Sequence, residues 1–249
     1  MPLFNLAYPA TYFWDGRAAT LRQQVLMPIQ DPIEMHESLG NVTAKLRASS
    51  TYPALFKRAF GSEEITPQTM ALALEQFLHT MLSYNSRFDR SRRGELQLTP
   101  QEDRGAQLFF TEFNPASSKK GADCFHCHGT SLFTNNEFMN NGLDSAHQFT
   151  DMGHFDVTGN PQHKATFKTP SLRNIEVTAP YMHDGRFRTL EEVIEHYNSG
   201  VKFSETLATD LKVTRVGLNL TPQDKADLLA FLRTLTDTTF LNDKRFAKP

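Results

Sequence analysis

The chain has 249 residues, 39% of them hydrophobic, and a net charge of −2, enough for one large or two modest domains, each with its own core. Lysines and arginines are scattered, in nothing longer than pairs such as Arg92-Arg93, which excludes the basic stripe of a nucleic-acid binder. No apolar run reaches bilayer length, no charged-then-apolar leader is visible, and the two cysteines exclude a disulfide framework.

Near the N-terminus stands Tyr12-Phe13-Trp14-Asp15-Gly16-Arg17, which holds the single tryptophan and returns later as Tyr181-Met182-His183-Asp184-Gly185-Arg186. The flanks keep that register without a gap: Leu3 pairs with Leu172, Asn5 with Asn174, Thr20 with Thr189 and Leu21 with Leu190. Self-similarity at a fixed offset indicates a duplicated domain. Thr20–Gln23 and Thr189–Glu192 have capping-box spacing, which predicts a helix just after each Asp-Gly-Arg turn. Thr-Pro-Gln at Thr66, Thr99 and Thr221 predicts three more helix starts, because Thr can cap and Pro fits the first helical position. Met70, Leu74, Phe77, Leu78 and Met81 then mark one helix face, and Leu228, Leu229, Phe231, Leu232 and Leu235 another. From Phe113 to Gly185 the chain is rich in Gly, Asn, Thr and Pro, and long stretches read as loop. Loops of that length usually wrap something. No run shows strand alternation. The expected architecture is mostly α with long loops around a site.

Both cysteines sit in Cys124-Phe125-His126-Cys127-His128. Cys-x-x-Cys-His is the attachment signature of c-type haem: two thiols reach the two vinyl groups, and His128 is held under the iron as proximal ligand. Zinc would need donors from a second Cys/His pair, which is not placed to supply them. A thioredoxin-like redox pair would need a βαβ context. His126 reads as loop filler. In Thr189-Leu190-Glu191-Glu192-Val193-Ile194-Glu195-His196-Tyr197, positions 190, 193, 194 and 197 share a face, and Gly200 can stop the helix. Tyr197 therefore projects from a buried face. Spacing alone favours an ordinary core tyrosine, with tyrosinate ligation and the sulfurs of Met182 or Met139 as alternatives. At the same offset Tyr197 falls on Pro28, which cannot ligate iron, and Glu34 follows shortly after. A closed site in one copy and an open, acid-equipped site in the other suits a two-centre redox enzyme.

The haem motif matching Trp14 would lie before Met1, so the expectation is one complete haem domain, residues 98–249, preceded by the later half of another, residues 1–97. On that expectation the chain is a fragment or starts internally.

The segments Leu3–Met35, Cys124–Gly129 and Phe167–Gly200 resemble the bacterial di-haem cytochrome c peroxidases, especially their MauG-like branch. The resemblance runs over essentially the whole chain. It implies tandem cytochrome c-type domains, a peroxidatic haem in the first (incomplete here) and an electron-transferring haem c in the second. It casts Trp14 as the tryptophan between the haems, Glu34 as the acid–base residue that helps split peroxide, and Gln24 as its neighbour in the distal pocket. It moves Tyr197 to the distal-ligand position, and it places Thr178 and Pro180 at backbone positions of an inter-domain calcium. The implied setting is the periplasm. Its partners there are hydrogen peroxide and a small electron donor, a cytochrome c or cupredoxin, and the implied assembly is a homodimer. The chain departs from the family in three ways. The first Cys-x-x-Cys-His is missing, the calcium site's asparagine would precede Met1, and Ala122 stands where MauG carries a hole-relaying tryptophan. MauG's action on a protein partner is therefore not inherited. Peroxide reduction is the leading expectation, with a MauG-like oxidase of a protein or small molecule and a mono-haem electron carrier as alternatives. Glu34 and Trp14 argue against the carrier, which has no use for a distal acid.

Overall fold

A computed structural model describes residues 1–114, 120–214 and 216–247. The chain is mostly helical, as expected, and divides into two compact units, Leu3–Leu82 and Ser83–Pro249, the latter with Met1–Pro2. This division falls before the boundary expected after residue 97. In packing, residues 83–97 side with the second unit: Phe88 meets Phe231 edge-on at 5.3 Å, and Ser83 donates to Asp237.

The first unit carries α1 (Leu21–Gln24), α2 (Met27–Gln30), α3 (Leu39–Ala48), α4 (Tyr52–Phe60) and α5 (Pro67–Thr80). Thr20 caps α1 through the Gln23 N–H, and Thr66 caps α5 in a closed capping box with Thr69. Gly61 ends α4 in the left-handed region at φ 78°, where a missing Cβ removes the steric penalty. Helices α1 and α3 pack on α5, whose buried residues are Met70, Ala71 and Leu78. Leu74 and Phe77 of the predicted face stay 36% and 45% exposed. The apolar stripe is wider than two short neighbours can cover.

The second unit holds α6 (Arg87–Arg92), α7 (Pro100–Phe109), α8 (Phe125–His128), α9 (Phe155–Thr158), α10 (Leu190–Glu195), α11 (Thr209–Thr214), α12 (Pro222–Arg233) and α13 (Thr238–Leu241). A two-stranded antiparallel ribbon, β1 (Phe138–Met139) with β2 (Phe167–Lys168), lies within the long loops. The Thr99 and Thr221 caps form as predicted, each in a closed box. Helices α7 and α12 make the main helix contact. Their approach depends on Gly105, where a Cβ would lie 1.9 Å from the Asp227 carbonyl oxygen. Around them close Phe109, Phe133, Phe231 and Leu235, all at most 2% exposed.

The duplication is written in backbone detail. Asn5 and Asn174 both adopt left-handed φ, 57° and 58°, as do Phe13 and Met182 at 68° and 71°. Tyr12 bridges to Ala18 and Tyr181 to Phe187. Each tyrosine hydroxyl donates over 2.9 Å to an equivalent carbonyl, that of Leu6 or Ile175.

One buried ion pair organises the second unit. Arg173 grips Asp89 with two hydrogen bonds of 2.7 and 2.8 Å, and the Arg173 side chain is only 5% exposed. Burial alone would raise the Asp89 carboxyl, but the hydrogen bonds and charge of Arg173 outweigh it and hold the group below the ordinary carboxylate range. A depressed folded pKa stabilises the fold above the unfolded-state pKa, and that contribution fades as pH falls through the folded value. Removing the cation leaves a buried carboxylate uncompensated. We expect Arg173→Met to lose about 3–5 kcal/mol in urea denaturation at neutral pH. The deficit should shrink in acid, where Asp89 is neutral; a parental midpoint at neutral pH would refute the role.

Candidate functional site

The haem motif forms one helical turn. Cys124 caps α8 at its start, and the His128 N–H closes the turn on the Cys124 carbonyl at 3.0 Å. Spacing of i and i+3 brings Cys124 and Cys127 to neighbouring positions on that turn. Burial pushes the Cys124 thiol up to about 12 and the Cys127 thiol to about 11, with nearby carboxylates adding to it. Zinc sites and redox dithiols require a favoured thiolate. These sulfurs are held neutral, which suits uncharged thioether bonds.

His128 Nδ1 lies 2.8 Å from the Phe133 carbonyl oxygen. A carbonyl can only accept, so Nδ1 carries the proton and the tautomer is set, leaving Nε2 as the lone-pair donor for a metal. Burial lowers the imidazole to about 4, against the carbonyls of Phe133 and Pro170, so the ring is neutral at physiological pH. The donor set fits a c-type haem.

Beyond α10 the helix does not continue in α form. Residues His196–Gly200 make a π-helical turn and Val201 leaves it extended. π-turns concentrate at functional sites. Tyr197 sits on this turn, half-buried against the core cluster that also takes in Cys124. Burial pushes its phenol up to about 12, opposed by the neighbouring Asn141 amide, with Cys127 and Cys124 close by. Asn141 also donates to Met182 Sδ at 3.3 Å. The structure thus gathers Cys124, Cys127, Tyr197 and Met182 around one region. Met139, the other sulfur alternative, lies in β1 opposite Phe167.

The first unit has a helix break at the equivalent place. Helix α1 ends at Gln24 and α2 begins at Met27, the partner of His196, so Pro28 occupies the Tyr197 position. Gln24 is 7% exposed, and among the described residues its Oε1 has no hydrogen-bond partner. An orphaned buried acceptor costs free energy. Glu34 lies on an exposed turn that folds back on Pro28 through the Met35 N–H, 3.2 Å from the Pro28 carbonyl. Trp14 is half-buried.

Other expected residues fall less centrally. His126 is no loop filler: it belongs to α8, and its Nε2 lies 3.1 Å from Asp123 and 3.5 Å from Glu112. Thr178 and Pro180 are exposed, and the Thr178 hydroxyl donates to the Ile175 carbonyl. Sequence reasoning missed Asn141, Phe133 and the π-turn. Only tertiary contacts bring them to the site, so no spacing announces them.

Residues 1–97 match the family model of the di-haem cytochrome c peroxidases. The chain is 36% identical over 236 residues to the methylamine utilization protein MauG of Methylorubrum extorquens, covering 94% of this chain and 63% of that protein. It is 32% identical to the cytochrome c551 peroxidase of Nitrosomonas europaea, covering 94% of this chain and 64% of the relative. The chain therefore spans slightly less than two thirds of those proteins. A solved MauG-like protein associated with microbial copper homeostasis superposes with a TM-score of 0.88 at 35% identity, covering 99% of this chain and 77% of that one. Motifs, duplicated turns and sequence agree, and the chain belongs to the di-haem cytochrome c peroxidase/MauG family.

Proposed function

We propose that this chain is the electron-transferring half, with part of the peroxidatic half, of a periplasmic di-haem oxidoreductase that reduces hydrogen peroxide. In this reading residues 1–97 are the later part of the first cytochrome c-like domain and residues 98–249 the complete second one. The observation that carries it is the contrast at one break in a duplicated helix: a phenol at Tyr197, a proline at Pro28. One copy can close its metal site and the other cannot.

Cys124 and Cys127 would hold one haem c covalently, and His128 and Tyr197 would supply ligands to its iron. That group, when bound, stores and passes single electrons. The protein's part is to set the His128 tautomer through Phe133, keep the cysteine sulfurs apolar, and present the phenol from the π-turn. In the first unit Glu34 would take a proton from one peroxide oxygen and return it to the other, so that heterolytic O–O cleavage releases one water, and two electrons and two protons then carry the remaining oxygen to a second water. The unpaired Gln24 Oε1 accepts a hydrogen bond from the incoming peroxide. Trp14 relays the two electrons one at a time, a small cytochrome c or cupredoxin supplies them, and the carbonyls of Thr178 and Pro180 contribute to a calcium site. Association as a homodimer belongs to the same reading. Tyr197 in the ligand position favours a MauG-like oxidase as the second reading, and Ala122 in the place of a relay tryptophan disfavours it.

Matured in a periplasm, the chain should carry one covalent haem, read as pyridine haemochrome against protein mass. A ratio near two would overturn the domain assignment, and Cys124→Ala or Cys127→Ala should weaken attachment. Glu34→Gln, in a chain extended upstream by a first haem domain, should slow the stopped-flow peroxide reaction on the order of a hundred- to ten-thousand-fold. A rate within tenfold of the parent would reduce Glu34 to a solvated turn residue. Tyr197→Phe should shift the ferric EPR signal of the haem-loaded chain toward high spin, and Tyr197→Met should raise its potential. An unchanged signal in Tyr197→Phe would make Tyr197 a core residue.

A further inference from the structure

We propose that Glu112, Asp123 and His126 form a binding site for one divalent transition-metal ion of the zinc type, on the turn that carries Cys124 and Cys127 and separate from the haem iron. Among the described residues, no other three His, Cys, Asp or Glu side chains bring their donor atoms within 4.8 Å of one another. The site does not depend on which side chains ligate the haem.

The donors come from two segments that the backbone locks together. Asp123 and His126 stand three apart, which puts both side chains on one side of the α8 turn. Asp123 has left-handed φ, 59°, a conformation in which Asp is enriched. Its N–H donates to the Thr111 carbonyl at 3.2 Å, and its Oδ1 accepts from the Phe113 N–H at 3.3 Å. Glu112 lies between those two contacts. Gly121 approaches so closely that a Cβ there would lie 2.2 Å from the carbonyl oxygens of both Thr111 and Glu112. Residues 111–113 are thereby held against the start of α8.

The spacing is that of ligands around an ion. With metal bonds of about 2.0–2.2 Å, two donors stand about 3.0 Å apart at a right angle and about 3.4 Å apart at the tetrahedral angle. His126 Nε2 lies 3.1 Å from Asp123 Oδ1 and 3.5 Å from Glu112 Oε2. An imidazole hydrogen-bonded to an acid is the simpler arrangement, but a ring N–H points at one acceptor, and here one nitrogen faces two carboxylates. A cation is shared by all three. One imidazole with two carboxylates suits zinc and its neighbours, whereas magnesium and calcium take oxygen ligands. The Asp123 side chain is 10% exposed and that of Glu112 67%, so the inner donor is fixed while solvent reaches the outer one. Water completes the shell.

The test uses the haem-loaded chain, treated with a chelator and then dialysed against zinc in a buffer holding excess calcium. Zinc and iron are counted separately by mass spectrometry, so the iron count reports haem attachment on its own. One tight zinc per chain is expected, with a raised thermal midpoint. Glu112→Gln, His126→Ala and Asp123→Asn should each weaken zinc binding at least about tenfold in isothermal titration. Glu112 is exposed and His126 occupies an unspecified position of Cys-x-x-Cys-His, so a misfolded Asp123→Asn leaves two variants to decide. Absence of zinc, its displacement by the calcium, or an unchanged affinity in either Glu112→Gln or His126→Ala overturns the proposal, and the cluster is then an imidazole held between two acids.

Discussion

The guanidinium of Arg173 is the interaction on which the second unit turns. Beyond its two bonds to Asp89 it donates to the Ser131 carbonyl at 3.1 and 2.6 Å and lies 5.7 Å from the centre of the Phe133 ring. Ser131 and Phe133 belong to the loop after the haem motif, and the Phe133 carbonyl is the group that orients His128. The next residue, Asn174, ties Ser83 to Asp237 through its side-chain amide. One buried cation thereby links helix α6, the haem loop and the second repeat. An apolar residue of similar size could match its burial, but it could not hold the Ser131 carbonyl, two residues before the carbonyl that sets the His128 tautomer.

The same logic separates the two copies. Their turns share left-handed φ at matched positions, yet their chemistry diverges at the following helix. A proline cannot donate an N–H and clashes with the carbonyl a turn earlier, so α1 and α2 break apart. In the other copy the backbone absorbs the irregularity as a π-turn that carries Tyr197 and His196 together. Duplication preserved the frame, while single residues decided whether a side chain is presented into it.

Much of this was legible in the sequence. The repeat, the Thr-Pro caps and the Cys-x-x-Cys-His turn are local, and local hydrogen-bond chemistry leaves a local signature. Thr99 and Thr221 recruit the acids three residues on, whereas the Gln23 amide oxygen accepts from Ala19 and leaves the Thr20 box half-made. Helices α3 and α4 went unread because their faces are polar or broken by surface residues, with Thr43 and Phe56 as their buried members. The exposure of Leu74 and Phe77 could not be read either, since periodicity reports a stripe and not what covers it. Asn141 lay within a run of turn-forming residues, and its contacts are with Met182 and His196, both distant in sequence.

The left-handed residues Phe13 and Met182 have a further consequence. A non-glycine side chain at positive φ is uncommon, and here the same unusual backbone recurs under two different side chains. The turn behaves as a socket: the surrounding bridge and tyrosine hydroxyl bond hold its shape, so the residue inserted there can change from aromatic ring to thioether without rebuilding the loop. The side chain at this corner can thus differ between the two halves while the bridge and the tyrosine hydroxyl bond stay the same.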